Sequence, residues 1–219
     1  MTLKIAVIGA KGKMGSAICH WLDQYQVIEV TEKDDLNTIP PVDLAIEVTN
    51  SQQVLKNTQR LLDLKIPTIV GASGISPCAH EELAVLAKAK AIPLWIIPNF
   101  SISAVLMMMC AQKIASHYSH CHIIEMHHAQ KLDAPSGTAI HSANIIEAAQ
   151  GPKPQISSIR TPGIIADQNI LFATQGETLS IQHHIENRDC FKQGVLMSIA
   201  HIHQLSPGLY VGLEFLLSL

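Results

Sequence analysis

The chain has 219 residues, of which 47% are hydrophobic and 15% are charged, and its formal net charge is −3. This length suits one large domain or two small ones, with enough apolar residues for a sizeable core. Acidic and basic residues are interspersed without a basic stripe, which argues against nucleic acid as the main partner. Low charge and positive mean hydropathy favour an oligomer, since subunit contacts bury apolar surface.

The cysteines and the apolar segments predict a soluble, cytoplasmic protein with no membrane partner. Five cysteines are scattered and never spaced C-x-x-C, which is typical of reduced thiols. The sequence runs directly into a strand pattern at residues 3–8, without the pattern of a signal peptide. The most apolar stretch, residues 95–111, is interrupted by proline and polar residues and is short for a span of about 20 residues.

Short apolar strands alternate with helical segments over the first hundred residues. Strands are predicted at residues 3–8, 27–31, 44–48, 68–70 and 92–97, and helices at residues 13–24, 52–64 and 77–90. This alternation predicts an α/β fold built on a Rossmann-like, doubly wound parallel sheet. The dozen residues between the second and third strands are too few for an ordinary crossover helix.

A second, α+β domain is predicted after Pro98-Asn99-Phe100, which resembles a hinge. Its elements are predicted at residues 102–117 (helix), 122–127 (strand), 138–149 (helix), 156–160, 169–173 and 179–184 (strands), and 193–204 (helix). We therefore expect one domain over residues 1–98, completed by the hydrophobic tail 205–219, and a second over residues 99–204.

A glycine-rich turn lies between the first strand and the first helix. Gly9, Gly12 and Gly15 allow a tight turn and a close approach to a pyrophosphate, whose charge would lie at the helix N-terminus. Lys11 and Lys13 add positive charge there. The spacing is G-x-x-G-x-x-G, not G-x-G-x-x-G, so a plain glycine-rich turn is the alternative.

The residues after the second strand do not decide between NADH and NADPH as the dinucleotide. An acid here would bind ribose hydroxyls, whereas Lys33 would suit a 2′-phosphate, so the cofactor is NADH or NADPH. The candidate acids are Glu29, Glu32, Asp34 and Asp35.

A second glycine-containing loop, Gly71-Ala-Ser-Gly74, follows the fourth strand. It lies at the carboxyl edge of the predicted sheet, where ligands bind in such folds. We interpret it as a loop that packs beside the nicotinamide. The alternative is an ordinary β-α turn capped by Ser76.

The segment Glu125–Ala139 carries the densest set of candidate groups. Histidine exchanges protons near physiological pH, and His127 and His128 point to opposite sides of an extended strand. Only one of them therefore needs to face a substrate. Lys131 is close enough in sequence to reach the same pocket.

The end of this segment, Pro135-Ser-Gly-Thr138, opens a predicted helix. Free backbone N–H groups at a helix start suit a carboxylate, although Ser136 or Thr138 would also cap the helix. The twelve histidines form neither H-E-x-x-H nor a Cys/His finger, so no metal is predicted.

Together, these motifs resemble the 4-hydroxy-tetrahydrodipicolinate reductase (dihydrodipicolinate reductase) family. The resemblance covers nearly the whole chain, and the family signature E-x-H-H-x-x-K-x-D-x-P-S-G-T-A is intact. The matching segments are Gly9–Gly15, Val70–Gly74, Pro98–Ser101, Glu125–Ala139 and Arg188-x-x-Phe191-x-x-Gly194.

The resemblance implies NAD(P)H-dependent reduction of 4-hydroxy-tetrahydrodipicolinate to tetrahydrodipicolinate, in lysine and diaminopimelate biosynthesis. It implies that His127 and Lys131 are catalytic and exchange protons. The substrate carboxylates would be held by His128, Ser136, Gly137 and Thr138. The cofactor site would be lined by Gly9, Ala10, Lys11, Gly12, Lys13, Met14, Gly71, Ala72, Ser73, Ile97, Pro98, Asn99 and Phe100.

The resemblance also implies roles for the two domains. Residues 1–98 with 205–219 would bind the dinucleotide, and residues 99–204 would bind substrate and form a homotetramer, with hinge closure between the domains. Two other readings are a different two-domain NAD(P)H oxidoreductase acting on an amino-acid-derived acid, and an inactive nucleotide-binding homologue. The intact His127 and Lys131 speak against the inactive homologue.

Several positions depart from the family pattern. The chain is shorter than typical members, chiefly after the second strand, and Gly71-Ala-Ser-Gly74 replaces Gly-Thr-Thr-Gly. Ala129-Gln130 stands where a basic pair is common, and Gln168 where a histidine is common. These departures bear on substrate affinity and cofactor choice more than on reaction type.

Overall fold

The computed structural model describes residues 2–217, so residues 1, 218 and 219 of the predicted domains lie outside the described residues. The chain divides into two compact units. One unit joins the chain up to Phe100 with Phe191–Leu213, and the other joins Ser101–Cys190 with the residues from Glu214 onward.

The helices and strands as far as α6 follow the predicted order with small differences at their ends, and one more strand forms in the segment predicted only as a hydrophobic tail. They are β1 (Lys4–Ile8), α1 (Lys13–Trp21), β2 (Gln26–Val30), β3 (Leu44–Glu47), α2 (Val54–Asp63), β4 (Thr68–Val70), α3 (Pro77–Lys90), β5 (Pro93–Ile96), α4 (Ile102–Ile114), β6 (His120–His127), α5 (Gly137–Ala148), β7 (Gln155–Arg160), β8 (Ala166–Thr174), β9 (Glu177–His184), α6 (Lys192–Ile202) and β10 (Gly208–Val211). Short 3₁₀ turns occur at Ala115–His117, Arg188–Phe191 and Glu214–Leu216.

The first unit is built on a six-stranded parallel sheet in the order β10-β5-β4-β3-β1-β2. All four residues of β3 and of β5 are buried, as expected for parallel strands covered on both faces. Strand β1 lies between β2 on one side and β3 on the other, so the strand order reverses its direction at β1. The carboxyl ends of β1 and β3 therefore form the topological switch point at which such sheets bind ligands.

The connection from β2 to β3 contains turns and no helix, as its length predicted. Side chains hold these turns together. The Asp34 carboxylate accepts hydrogen bonds from the backbone N and the hydroxyl of Thr31, and the Asp35 carboxylate accepts from Asn37.

The boundary between the units differs from the sequence prediction at its C-terminal side. Helix α6 was predicted in the second domain, but it belongs to the first unit and contacts α1 and β4. A Cβ atom at Gly194 would lie 2.0 Å from the carbonyl oxygen of Phe100, so the glycine permits this close packing. The predicted tail is also divided, because β10 pairs with β5 while residues from Glu214 join the second unit.

The second unit contains a four-stranded sheet in the order β7-β6-β8-β9, in which only β6 and β7 are parallel. Helices α4 and α5 pack on this sheet, and Ile123, Ile170 and Phe172 are fully buried. The predicted fold class, a Rossmann-like sheet plus a second α+β domain, is thus confirmed. None of the helices within residues 2–217 combines the length and apolarity needed to cross a membrane.

Candidate active site

The predicted pyrophosphate turn has a geometry that only glycine allows at two positions. Gly9 follows β1 with a φ of +91°, and its N–H donates to the carbonyl oxygen of Val30 (2.9 Å). A Cβ atom at Gly15 would lie 2.1 Å from the carbonyl oxygen of Gly9. The first turn of α1 is thereby held directly against the end of β1.

The start of α1 fits an anionic group. Gly12 is its N-cap and supplies no side-chain cap, and no acidic residue lies in the first turn. The backbone N–H groups there, with the positive end of the helix dipole, therefore suit a pyrophosphate. Lys11 beside this turn forms an ion pair with Glu29 of β2 (Nζ to Oε2, 2.6 Å).

The structure distinguishes among the four acidic residues near the end of β2 that could bind the ribose hydroxyls of a dinucleotide. Glu29 is paired with Lys11, and Asp34 and Asp35 accept hydrogen bonds inside their own turns. Glu32 is exposed and lies two residues after the end of β2. Within residues 2–217, the other three candidate acids have such partners and none is recorded for Glu32, which lies beside Lys33.

The second predicted cofactor segment follows β4. Gly71 donates its N–H to the carbonyl oxygen of Glu47 (2.8 Å), and a Cβ atom on it would lie 2.5 Å from the Phe100 ring. Ile97 and Phe100 are buried, so their side chains support this loop from the core, whereas Ser73 and Pro98 are exposed. The first unit thus brings the predicted segments around residues 71–73 and 97–100 together.

In the second unit, the predicted catalytic residue His127 lies beside a buried carboxylate. Glu125 lies in β6 with no solvent exposure. Arg160 of the neighbouring strand β7 donates two hydrogen bonds to the Glu125 carboxylate, from Nη1 to Oε2 (3.0 Å) and from Nη2 to Oε1 (2.8 Å). The backbone N–H of Ser136 also donates to Oε1 (3.2 Å).

The charge of Glu125 is stabilised by these donors. Burial alone raises the pKa of Glu125, but hydrogen bonds from Arg160, Ser158 and His127 outweigh it and hold the pKa at about 2. A buried carboxylate persists only with such pairing. Glu125 is therefore an anion at any pH at which the protein would work.

His127 is held by the same carboxylate, because its Nδ1 lies 2.5 Å from Oε2 of Glu125. Burial lowers the pKa of His127; Glu125 opposes that effect, whereas the positive charges of Lys131 and Arg160 add to it. The imidazole is therefore mostly neutral at pH 7. An imidazole with a charged partner at one nitrogen and the other nitrogen available suits proton exchange.

Lys131 lies in the loop after β6, and its Nζ is 2.9 Å from Oδ1 of Asp133. The hydrogen bond from Lys131 lowers the pKa of Asp133. Lys131 acts on His127 electrostatically, so the structure brings together the two groups that the sequence predicts as proton carriers.

The predicted carboxylate-binding turn forms the start of α5. Ser136 is the N-cap, and its hydroxyl accepts a hydrogen bond from the N–H of Ala139 (3.2 Å). Gly137 is exposed, and a Cβ atom there would meet no atom within 4 Å. The open space over Gly137 and the free N–H groups of the first turn fit a carboxylate.

Two further positions, His128 and Gln168, lie near this segment in the sequence or in the sheet. His128 has a buried Nδ1 atom without a hydrogen-bond partner among the described residues. Gln168, which stands where a histidine is common, is buried and donates from Nε2 to the Ser142 hydroxyl (2.7 Å). Ser142 in turn donates to the carbonyl oxygen of Thr138 (2.9 Å), which links β8 to the first turn of α5.

Sequence reasoning missed Glu125 and Arg160 as functional candidates. Glu125 was seen only as the first letter of the signature, and Arg160 as the end of a strand. An arginine closing an otherwise uncharged strand, Gln155–Arg160, was a usable signal. Its partner could not be found without the pairing of β6 with β7, which places Arg160 opposite His127.

Family models match both parts of the chain. The model described as "Dihydrodipicolinate reductase, C-terminus" matches residues 103–217, and that described as "Dihydrodipicolinate reductase, N-terminus" matches residues 26–100. The chain belongs to the dihydrodipicolinate reductase family. It is therefore an oxidoreductase, and the resemblance stated from its motifs is confirmed.

Full-length relatives agree with the family models. A protein named 4-hydroxy-tetrahydrodipicolinate reductase from Legionella pneumophila (strain Corby) is 36% identical, with 99% of this chain and 100% of that protein covered. A protein of the same name from Lysinibacillus sphaericus is 31% identical, with 98% and 99% covered. The aligned lengths of 245 and 263 exceed 219 residues, so this chain is a short member of the family.

A solved structure is similar over the same range. Dipicolinate-bound dihydrodipicolinate reductase from Paenisporosarcina sp. TG-14 has a TM-score of 0.82 and 29% identity, and the alignment covers 99% of this chain and 100% of that one. GenD2 from gentamicin A biosynthesis, solved with NAD, has a TM-score of 0.68 at 11% identity. The second similarity shows a shared fold alone.

Proposed function

We propose that this reductase uses NADH or NADPH to reduce 4-hydroxy-tetrahydrodipicolinate to tetrahydrodipicolinate, a step of lysine and diaminopimelate biosynthesis. The reaction adds one hydride and one proton and releases one water. It therefore requires a site that holds a dicarboxylate and supplies a proton. The observation that supports the proposal is that one segment, Glu125–Ala139, contains both a histidine held by a carboxylate and the start of a helix with free N–H groups.

In this proposal, the substrate carboxylates bind at the start of α5. The backbone N–H groups of Gly137 and Thr138 would donate to them, with Ser136 and His128 alongside. Lys131 would add positive charge. Such preorganised donors act strongly in a site that excludes water, because they need little reorganisation when charge develops.

His127 and Lys131 are the proposed proton carriers. The hydride is supplied by NADH or NADPH when bound. As negative charge develops on the ring and spreads towards its nitrogen, a positioned acid supplies the balancing proton. His127 is held by Glu125 through Nδ1, so it supplies a proton from Nε2 only in its imidazolium form, and Lys131 lies near enough to influence the charge of His127.

The first unit is the proposed dinucleotide-binding domain, and the second unit is the proposed substrate domain. The turn Gly9–Met14 and the start of α1 would hold the pyrophosphate. The loop 71–73 and residues 97–100 would flank the nicotinamide. Glu32 would accept hydrogen bonds from the ribose hydroxyls of NADH, and Lys33 would pair with the 2′-phosphate of NADPH.

A steady-state assay tests the proposed reaction. Absorbance of NADH or NADPH should fall when freshly made product of dihydrodipicolinate synthase is added. Activity should fall about 100-fold or more in His127→Ala and Lys131→Ala, because a positioned acid contributes at least that much. Absence of turnover above background in the wild type with either cofactor would refute the proposed function.

Two charge variants test the cofactor assignment in the same assay. Glu32→Gln should raise the KM for NADH more than that for NADPH, and Lys33→Gln should raise the KM for NADPH selectively. Glu29→Gln is a matched control, since Glu29 is already paired with Lys11. Equal changes for both cofactors in all three variants would argue against binding of the ribose at this position.

A homotetramer is proposed because one face of the second sheet carries apolar side chains that are only half-buried by the described part of a single chain. Helices α4 and α5 pack against the face that includes Ile123 and Phe172. The opposite face carries the half-buried Ile124, Met126 and Leu171, and its Ile159 is 43% exposed. An apolar sheet face of this kind is typical of subunit interfaces.

Sedimentation velocity checks the oligomer, with the wild type expected at the mass of four chains of 23.8 kDa. Met126→Lys should shift the distribution towards smaller species, whereas Lys65→Glu in the first unit should not. A monomeric wild type would contradict this assembly. We also propose a cytoplasmic location, which is consistent with five unpaired thiols among the described residues.

A further inference from the structure

The strongest feature that the proposed reaction does not yet use is the ion pair between Glu125 and Arg160. The Glu125 carboxylate has no solvent exposure, and the Arg160 side chain is 19% exposed. Two parallel hydrogen bonds, of 2.8 and 3.0 Å, join them. Bidentate pairing of this kind fixes both the position and the plane of the carboxylate.

The fixed carboxylate determines which nitrogen of His127 carries a proton. An ionised carboxylate accepts hydrogen bonds and cannot donate, so the Nδ1 atom of His127, 2.5 Å away, must carry the hydrogen. The neutral imidazole therefore keeps Nε2 unprotonated. When a proton is taken up it goes to Nε2, and the Glu125 charge stabilises the resulting imidazolium.

The same ion pair also holds the turn Asp133–Ser136 against the sheet through hydrogen bonds. Arg160 donates from Nη2 to the carbonyl oxygen of Asp133 (2.6 Å), and Glu125 accepts from the N–H of Ser136. These two bonds fasten both ends of the turn Asp133–Ser136, which follows Lys131 and opens α5. One ion pair thus orients the imidazole, the loop of Lys131 and the carboxylate-binding helix start together.

We propose that Glu125 and Arg160 are positioning residues: Glu125 fixes the tautomer of His127, and Arg160 locks Glu125 and the loop Lys131–Ser136 in one arrangement. This inference rests on the proposed role of His127 in proton exchange. The pair does not contact the substrate in this account. Its contribution acts through His127 and through the start of α5.

The first test is spectroscopic and uses the wild-type full chain. In protein labelled with ¹⁵N-histidine, the ring nitrogens of His127, identified by their loss in His127→Asn, report the tautomer. Above the pKa of His127, Nδ1 should be protonated and Nε2 unprotonated. Protonation at Nε2 instead would overturn the inference without any change in folding.

The second test is kinetic. Glu125→Gln keeps the shape but removes the charge, so kcat should fall about 10- to 100-fold, as with other partners that orient a functional histidine. The limb at which kcat falls with rising pH should move to lower pH, because the charge that favours imidazolium is gone. A purely structural role would lower the melting temperature and leave the pH profile in place.

Variants of Arg160 separate the effect of its two hydrogen bonds to Glu125 from the effect of its positive charge. Arg160→Lys keeps a positive charge but loses the bidentate hydrogen bonding. Its kcat should therefore be higher than that of Arg160→Met and lower than that of the wild type. Substrate KM should rise in both variants because the Asp133–Ser136 turn is released. Wild-type kcat and KM in a folded Arg160→Met would overturn the role of Arg160.

Failure of this inference is distinguishable from failure of the proposed function. Loss of activity in His127→Ala together with an unchanged kcat and pH profile in Glu125→Gln would refute the positioning role alone. Full activity in His127→Ala would refute the proton role on which it rests. If Glu125→Gln does not fold, the wild-type tautomer and the Arg160→Lys kinetics still decide.

Discussion

The ammonium group of Lys131 lies 2.9 Å from a carboxylate oxygen of Asp133, two residues further along the same loop. Asp133 is largely exposed and neutralises the charge that the proposed substrate carboxylate would meet. Asp133→Asn should therefore lower the substrate KM, by up to about fivefold given the value of exposed pairs. The effect should be largest at low ionic strength, where surface charges are least screened.

Steady-state kinetics at two salt concentrations check this expectation. Asp167→Asn is a matched control, because Asp167 is also paired with a basic residue, His184, but lies opposite Met126 and so faces the other side of the sheet from Glu125 and His127. It should leave the substrate KM unchanged. A higher KM in Asp133→Asn would mean that the carboxylate helps to place Lys131 rather than competing for it.

Two glycines should respond in opposite ways to the addition of one methyl group. Gly15→Ala places a Cβ atom 2.1 Å from a backbone oxygen, so it should destabilise the protein by about 1–3 kcal/mol and weaken dinucleotide binding. Gly137→Ala meets no atom within 4 Å, so its melting temperature should be unchanged. The methyl would nevertheless obstruct the proposed carboxylate site, and substrate KM should rise about tenfold.

Thermal melts and kinetics on both variants separate the two mechanisms. The expected pattern is lower stability with Gly15→Ala and higher KM alone with Gly137→Ala. A wild-type KM in Gly137→Ala would place the substrate carboxylates away from the start of α5. Wild-type stability in Gly15→Ala would contradict the close packing of α1 on the end of β1.

The buried amide of Gln168 should support the first turn of α5 through Ser142. Gln168→Leu removes the donor to the Ser142 hydroxyl and should cost about 1 kcal/mol of unfolding free energy. Ser142→Ala also removes the bond to the Thr138 carbonyl oxygen. Because the residues share one network, the double variant should lose less than the sum of the two single losses.

Urea unfolding of the two single variants and the double variant measures this coupling. Additive losses would show that the two side chains act independently. Ser180→Ala provides a control on the same sheet, since its bond to Asn169 is exposed. Its effect should be within about 0.5 kcal/mol of the wild type, as is usual for surface positions.

The sequence was sufficient to predict five of the six strands of the first sheet, because short runs such as residues 44–48 are apolar except for Glu47, as is typical of strands buried on both faces. It was less informative for α6, since the position of that helix depends on how Gly194 packs against Phe100, a contact between residues 94 positions apart. Local periodicity contains no such information.

The signature likewise brought His127 and Lys131 into view, because both lie in one continuous segment. The role of Arg160 depends on the register of β7 against β6, which brings Arg160 to Glu125 although the two are 35 positions apart in the sequence. The choice of acid after β2 also needed the structure. Asp34 and Glu29 are removed from consideration only by their bonds to Thr31 and Lys11.

Glu125 should make the stability of the protein depend on acid pH. Its pKa is held at about 2 in the folded chain, against 4.5 in its ordinary state, by Arg160, Ser158 and His127 despite the opposing effect of burial. Because the folded pKa is the lower one, the unfolded chain binds the proton more readily. The stabilisation is therefore complete above about pH 4.5 and is lost as the pH falls towards 2.

Unfolding free energies measured by urea titration between pH 7 and pH 2 test this dependence. The wild type should lose stability steeply below pH 4.5, and Glu125→Gln should show a shallower slope in that window, whatever its stability at pH 7. Asp34→Asn is the matched control: the Thr31 hydroxyl lowers the pKa of Asp34, but that carboxylate is exposed, so water screens its contribution. Equal slopes in the wild type and Glu125→Gln would mean that other carboxylates govern acid unfolding. The ion pair with Arg160 would then hold the active-site geometry without dominating the stability of the fold.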